Sequence, residues 1–237
     1  PQLHPWAQQQ AQQSGYRTVG IYSGPLGFGY NTETLKKKKL PEPQCWSDVI
    51  KPTYKGEVEI SHPASSGTAY TVIAGLVQLM GEDKAFDYLK ALHKNVGQYT
   101  RQGTGPIKAV ARGETAVSIS FVHDAPQERM AGFPVETVTP SEGTGAEIGS
   151  MSIIKGARNL DNAKIWYDWA LTPEVQSRMK DAKSFQLPSN KNAEIPKESP
   201  RFEDIKLIDY DFATFGDAEK RKSLLERWDR EVGASAN

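Results

Sequence analysis

"VEISHPASSGTAYTVIAGLVQLMGED", residues 58–83, is the stretch on which the fold turns. Its first residues alternate in the manner of a strand, and the strand stops at Pro63. Ser65, Ser66, Gly67 and Thr68 follow, and then Val72, Ile73, Leu76, Val77, Leu79 and Met80 predict a helix over about 68–80 that is apolar on most faces and therefore buried. A strand that delivers its chain directly to a buried helix is half of a β-α-β unit. The hydroxyl cluster at the helix mouth admits two readings. Ser and Thr are ordinary N-caps. Free N–H groups and the helix dipole at the same place also favour an anion.

Downstream, "GEDKAFDYLKALHKNV" predicts a second helix, with Phe86, Leu89 and Leu92 at helical spacing and His93 near the end, where a cation suits the dipole. A polar loop with Gly103, Thr104 and Gly105 leads to a helix in "PIKAVARGE", with Pro106 in its first turn. "AVSISFV" predicts a buried strand running into His123-Asp124. This alternation is the signature of parallel α/β layering, in which ligands bind beyond the carboxyl ends of the strands. The Ser65–Thr68 cluster, the Gly103–Gly105 loop and His123-Asp124 all fall at such ends, which favours the anion reading over a plain cap.

Upstream, residues 18–22 predict a strand followed by a glycine-rich connection through "SGPLGFGYNTETL". Lys36–Lys39 read as a solvated helix end rather than an anion patch, and "AQQQAQQ" as an exposed helix. Beyond residue 134 come an extended segment over 134–139, a strand over 149–154, two helices whose Trp166, Trp169 and Leu171 are expected inside, and a closing amphipathic helix.

Composition narrows the function classes. Lys+Arg and Asp+Glu both number 29, so no global field recruits nucleic acid or an acidic membrane, and a charged ligand has to be selected locally. The single cysteine, Cys45, excludes an internal disulfide framework and a Cys-rich metal site. No run is long enough for a membrane span, and the first residues lack a secretory apolar segment. Nucleophile elbow, paired metal-binding histidines and dinucleotide fingerprint are all missing, which argues against an enzyme. A hydrolytic triad of Ser66, His123 and Asp124 is conceivable, but adjacent residues on an extended chain point to opposite sides.

The stretches "GYNTETL", "PQCWSDVIKPTYKGEVEISHPASSGTAY", "GETAVSISFVHDAP", "PSEGTGAEIGSMSIIKGARN" and "WALTPEVQ" cover most of residues 29–190. In order and spacing they resemble the periplasmic solute-binding proteins of ABC importers, in the group that binds ferric iron, sugar phosphates or aminoethylphosphonate. The resemblance implies an α/β type II periplasmic-binding fold, with two lobes that close on a ligand, and a membrane permease as partner. It implies a periplasmic location, no cofactor and no nucleic-acid partner. By this analogy residues 30–137 form the motif-rich lobe, and 1–29 with 138–237 form the remainder of the other lobe and the hinge strands. The N-terminal part of that second lobe is expected to be missing.

The resemblance also bears on the ligand. Ferric binders of this group carry adjacent tyrosines after the strand that here ends in "SISFV"; this sequence has His123-Asp124 instead, as the sugar-phosphate binders do, with Glu147 further on. Ser66, Gly67, Thr68, Gly103 and Thr104 offer hydroxyl and backbone N–H donors to a phosphate. His123, Asp124 and Glu147 offer acceptors to sugar hydroxyls. A small phosphorylated anion, with hexose phosphate favoured, is the expected ligand. Aminoethylphosphonate and ferric iron are the alternatives within the family, and phosphate-ester hydrolysis lies outside it. Plain structural roles remain open for the same residues: His123-Asp124 as a strand-end turn, Glu147 as an exposed hinge carboxylate.

Overall fold

The computed structural model describes residues 2–233. Along the chain, helix α1 (Pro5–Gln13) precedes the long strand β1 (Val19–Asn31), helix α2 (Thr32–Lys38) and strand β2 (Val58–Ser61). Helices α3 (Gly67–Met80) and α4 (Glu82–His93) lead to β3 (Val96–Thr100), α5 (Gly105–Ala111), β4 (Val117–Phe121), α6 (Ala125–Met130) and β5 (Val135–Val138). Then come β6 (Ala146–Met151), α7 (Leu160–Ala170), α8 (Pro173–Gln176), β7 (Leu187–Pro188), α9 (Phe212–Phe215) and α10 (Ala218–Glu231). These elements form two compact units.

The larger unit comprises Pro25–Ala146 with Glu203–Asn237. Its sheet has the order β3-β2-β4-β1-β5. Strand β2 is parallel to both β3 and β4, as the β-α-β reading requires, with Ile60 opposite Ile119 and Ser61 opposite Thr100. β1 runs antiparallel to β4 and β5, so the sheet is mixed rather than wholly parallel. The segment expected as a glycine-rich connection is the second half of β1. Its glycines are where neighbours press hardest: a methyl group at Gly29 would overlap Ile107 of α5, and one at Gly27 would lie 2.6 Å from the carbonyl oxygen of Val138. Gly29 and Ser118 face α5, while the alternate residues Phe28 and Ile119 enter the main core with α3 and α4.

β2 is buried at every position, including Glu59. Thr115 Oγ1 donates to the Glu59 carboxylate at 2.9 Å, and burial raises that carboxyl's pKa. The strand that the Gly103–Gly105 loop implies is β3, "VGQYT", whose half-exposed residues alternate too weakly to mark its bounds in the sequence.

The smaller unit comprises Pro1–Gly24 with Glu147–Phe202. Here the first half of β1 pairs with β6 and with β7, and Leu3, Ala7, Val19 and Leu171 form a compact cluster. The sequence placed Trp166 and Trp169 inside; the structure leaves them 56% and 53% exposed. The inward stripe of α7 is instead Ala163, Tyr167 and Ala170. Leu171 is buried as expected.

The division also differs from the one expected at residue 138. Segment 203–233 packs with the larger unit, because Leu224, Trp228 and Val232 belong to its core and Tyr70 donates its hydroxyl to the Phe215 carbonyl at 2.6 Å. Thr144 and Lys206 are held together by a backbone bond of 2.9 Å, and Ile208 returns one to Thr144 at 3.0 Å. The chain ends, residue 1 and residues 234–237, lie outside the described residues.

Candidate functional site

The site begins where β2 ends. His62 accepts backbone N–H bonds from Ser65 and Ser66 at 3.1 and 3.0 Å, which turns the chain into α3. Ser66 sits at the N-cap position in extended conformation, but its side chain caps nothing. Its Oγ instead accepts a 2.9 Å hydrogen bond from Ser61 Oγ, and both residues are buried. The ordinary cap therefore does not explain this serine, and no cap side chain takes up the first-turn N–H groups of a 14-residue helix. That leaves the positive end of α3 available to an anion.

The loop after β3 is drawn onto this helix mouth. His62 N–H donates to Thr100 O at 2.7 Å and Ser65 Oγ to Arg101 O at 2.9 Å, which zips the two strand ends together. Gly103 then lies so close that a methyl group there would overlap Thr68 Oγ1 and stand 3.0 Å from Thr68 Cβ and 3.3 Å from Ser66 Oγ. Only glycine lets this backbone approach. Thr104 precedes the short helix α5 and makes no side-chain cap bond.

His123 and Asp124 follow β4. The residues are not extended: Val122–Asp124 is a 3₁₀ turn, so the two side chains converge instead of diverging. His123 Nε2 and Asp124 Oδ1 are 3.6 Å apart, too far for a hydrogen bond. The imidazole stacks on Phe121 at 5.3 Å, is 5% exposed, and its Nδ1 has no hydrogen-bond partner among the described residues. Burial takes the His123 pKa down to about 4, and burial takes that of Asp124 up to about 6, where Lys108 works against the rise and Glu128 with it. At neutral pH the pair is a neutral imidazole beside a carboxylate held in a poorly solvated place. Such a pair offers acceptors, and one donor, to hydroxyl groups. An orphaned ring nitrogen in a buried position is a group awaiting a partner.

The strand register gathers these pieces. Ser61 lies opposite Thr100 and Ile60 opposite Ile119, so β3, β2 and β4 end at one carboxyl edge of the larger unit's sheet. Ser66, Thr68 and Gly103 are brought into contact there. Gly67 opens α3 between Ser66 and Thr68, Thr104 adjoins Gly103, and His123-Asp124 leave the neighbouring strand at the same edge. Glu147 belongs to the other unit, on β6, where its carbonyl accepts from Ser23 Oγ at 2.7 Å. Ser61, which orients Ser66, was not singled out from the sequence; its one signal is a hydroxyl closing an otherwise buried strand. Among the described residues no cluster of three or more His, Cys, Asp or Glu side chains could hold a metal ion. No described helix is long and apolar enough to cross a membrane.

Comparison with known proteins places the chain. It is 49% identical over 227 residues to an uncharacterized protein of Haemophilus influenzae, an alignment that takes in 94% of this chain and 65% of the relative. The solved periplasmic binding protein AfuA from Actinobacillus pleuropneumoniae, with exogenous fructose-6-phosphate bound, superposes with a TM-score of 0.93 at 48% identity, covering 98% of this chain and 73% of that one. The periplasmic binding protein P5PA matches with a TM-score of 0.90 at 40% identity over 98% of this chain and 74% of that one. The α/β fold is theirs, in the type II periplasmic-binding class, and the chain spans only part of each relative's length. The model of the family described as bacterial extracellular solute-binding protein matches residues 2–214, and to that family the chain belongs.

Proposed function

We propose that this chain is the extracytoplasmic solute-binding component of an ABC importer and captures a small phosphorylated anion, a hexose phosphate by preference. The observation that carries the reading is the uncapped first turn of α3, with Gly103 pressed against Thr68 and Ser66 beside it. Uncapped first-turn N–H groups at a helix mouth suit a phosphate's several acceptor oxygens. His123 and Asp124, at the same strand edge, suit the hydroxyls at the ligand's other end. The solved relative that holds fructose-6-phosphate supports this class of ligand. The assignment of Glu147 as a further acceptor rests on the resemblance alone. Docking to a membrane permease and a periplasmic location follow from the family reading.

The phosphate end would be common to many anions, so discrimination falls to Asp124. A carboxylate left without its hydroxyl partners in a buried site penalises the wrong ligand. Calorimetry with fructose 6-phosphate, glucose 6-phosphate, aminoethylphosphonate and inorganic phosphate tests both halves. A hexose phosphate at a hundredfold excess over its Kd should stabilise the fold by about 2.7 kcal/mol. Asp124→Ala should cost about 1.5–3 kcal/mol of hexose-phosphate binding and little for inorganic phosphate. If no phosphorylated anion shifts the melting temperature, or if iron addition produces a visible phenolate band with one-to-one stoichiometry, the reading falls.

A further inference from the structure

The turn that delivers β2 into α3 is tied to a single residue of the larger unit. The carbonyl oxygen of His62 accepts the N–H groups of Ser65 and Ser66 at 3.1 and 3.0 Å and the Ser65 hydroxyl at 3.3 Å. Its own N–H donates to Thr100 O at 2.7 Å, and its ring Nδ1 accepts the Ala64 N–H at 3.2 Å. The position of His62 therefore sets where α3 begins.

What holds His62 comes from far along the chain. Trp228 of α10, only 4% exposed, crosses the imidazole at 77° with ring centroids 4.9 Å apart. Tyr99 of β3 meets both rings, 5.9 Å from His62 and 5.6 Å from Trp228, and its hydroxyl lies 2.8 Å from His93 Nδ1. Crossed rings at such distances are a favoured aromatic geometry. The packing beside them is less complete. A cavity of about 10 Å³, at the lower limit for one water molecule, is lined by Ser61, Pro63, Ala69 and Ile73 together with Tyr99 and Trp228. Atoms that face a gap lose their dispersion contacts across it, so the firm support of the turn is the aromatic contact.

We propose that Trp228 is a positioning residue for anion capture. It acts through His62: the indole fixes the imidazole, the His62 backbone fixes Ser65 and Ser66, and these fix the uncapped first turn of α3. The inference rests on reading that first turn as the anion site. Because the link ends at the phosphate end of the ligand, it governs affinity for every phosphorylated anion and not the choice among them.

The test compares Trp228→Leu and Trp228→Phe in the 237-residue chain with Val49→Ala. Val49 is wholly buried in the same core, but its carbonyl is held by Asn95, just before β3, at the opposite edge of the sheet. Calorimetry with fructose 6-phosphate and with inorganic phosphate reads affinity. Amide exchange of Ser66 in the ligand-free chain reads the turn itself. Trp228→Leu should weaken both anions alike, by about three- to tenfold, and speed Ser66 exchange by a similar factor. Trp228→Phe, which keeps a ring against His62, should recover most of both losses, and Val49→Ala should destabilise the fold while changing neither. Should Trp228→Leu fail to fold, His62→Leu removes the same contact from its half-buried side. If the leucine variant loses stability as Val49→Ala does but keeps its affinity and its Ser66 exchange rate, Trp228 is core alone and the proposal is overturned. Equal losses with phenylalanine and leucine overturn it too, since the ring contact would then carry nothing. A parent chain that binds neither anion sinks the reading of the site, whereas an unchanged Ser66 exchange rate in the ligand-free variants sinks the link from Trp228.

Discussion

His123 and Asp124 show how far one turn of backbone can change what two residues do. On an extended chain they would diverge; the 3₁₀ turn at the end of β4 buries His123, leaves Asp124 partly buried, and sets Nε2 and Oδ1 3.6 Å apart. Their titrations then act in opposite directions on stability. The lowered pKa of His123 keeps it neutral in the folded state, so its contribution is lost as pH falls from its ordinary 6.5 towards about 4. The raised pKa of Asp124 favours the protonated form, so its contribution is lost as pH rises from 3.8 through about 6. The two nearly cancel across that window. Asp124→Asn should unmask the histidine and make stability fall by about 3 kcal/mol between pH 6.5 and 4 relative to the parent, given 1.36 kcal/mol per pKa unit. His123→Asn should unmask the opposite slope. Urea denaturation across pH 4–7 reads both, and parallel curves for parent and variants would mean that the pair is better solvated than its burial indicates.

At the scale of elements, the junction of α3 with the loop after β3 depends on one missing side chain. Gly103 faces Thr68 Cβ, which is 3.0 Å from where a methyl group would stand and cannot rotate away as a hydroxyl could. Gly103→Ala therefore has to displace either the loop or the start of α3, at about 1–3 kcal/mol, the range for overpacking. Anion binding should weaken with it, because the uncapped start of α3 is displaced or the loop is pushed off it. Thermal unfolding and calorimetry with fructose 6-phosphate check this, and adding Thr68→Ala should not recover the loss, since the crowding Cβ remains. An alanine variant with unchanged stability and affinity would show that the loop is slack there. Ser66 belongs to the same junction, because its partner Ser61 is wholly buried and would be orphaned without it.

For the molecule as a whole, α10 decides which unit owns the end of the described chain. Trp228 packs edge-on to His62 at 4.9 Å and to Tyr99 at 5.6 Å. Arg227 reaches Glu82 at 3.0 Å, Asp83 at 2.9 Å and Glu231 at 2.9 Å, and lies 4.3 Å over the Phe86 ring. Asp83 is almost fully exposed and adds little. The half-buried Glu82 and the ring matter more, so Arg227→Ala should cost about 1.5–3 kcal/mol. Arg227→Met, which keeps the stem over Phe86, should recover part of it. Denaturant unfolding of the two variants makes the comparison, and equal losses would assign the whole effect to charge.

What the sequence determined by itself was local and periodic. The alternation of 58–61, the apolar run of α3, the helical spacing of α4 and Pro106 at the head of α5 each carry their element in adjacent residues. Together they placed Ser66, Thr68, Gly103 and His123-Asp124 at strand ends. The tertiary structure decided what depends on residues far apart in the chain. Glycines 27 and 29 read as a loop, and antiparallel pairing with β4 and β5 is what makes them part of one long strand. Ser66 read as a cap or an anion donor, and only the fold shows that its oxygen accepts from Ser61 instead of capping α3. Trp166 and Trp169 read as core because apolarity says only that a side chain gains from burial, not that a covering surface exists. The closing helix joined the larger unit through Trp228 and Arg227, whose partners lie more than a hundred residues earlier. Periodicity encodes which face of an element is apolar; which surface meets that face is set by packing across the whole chain.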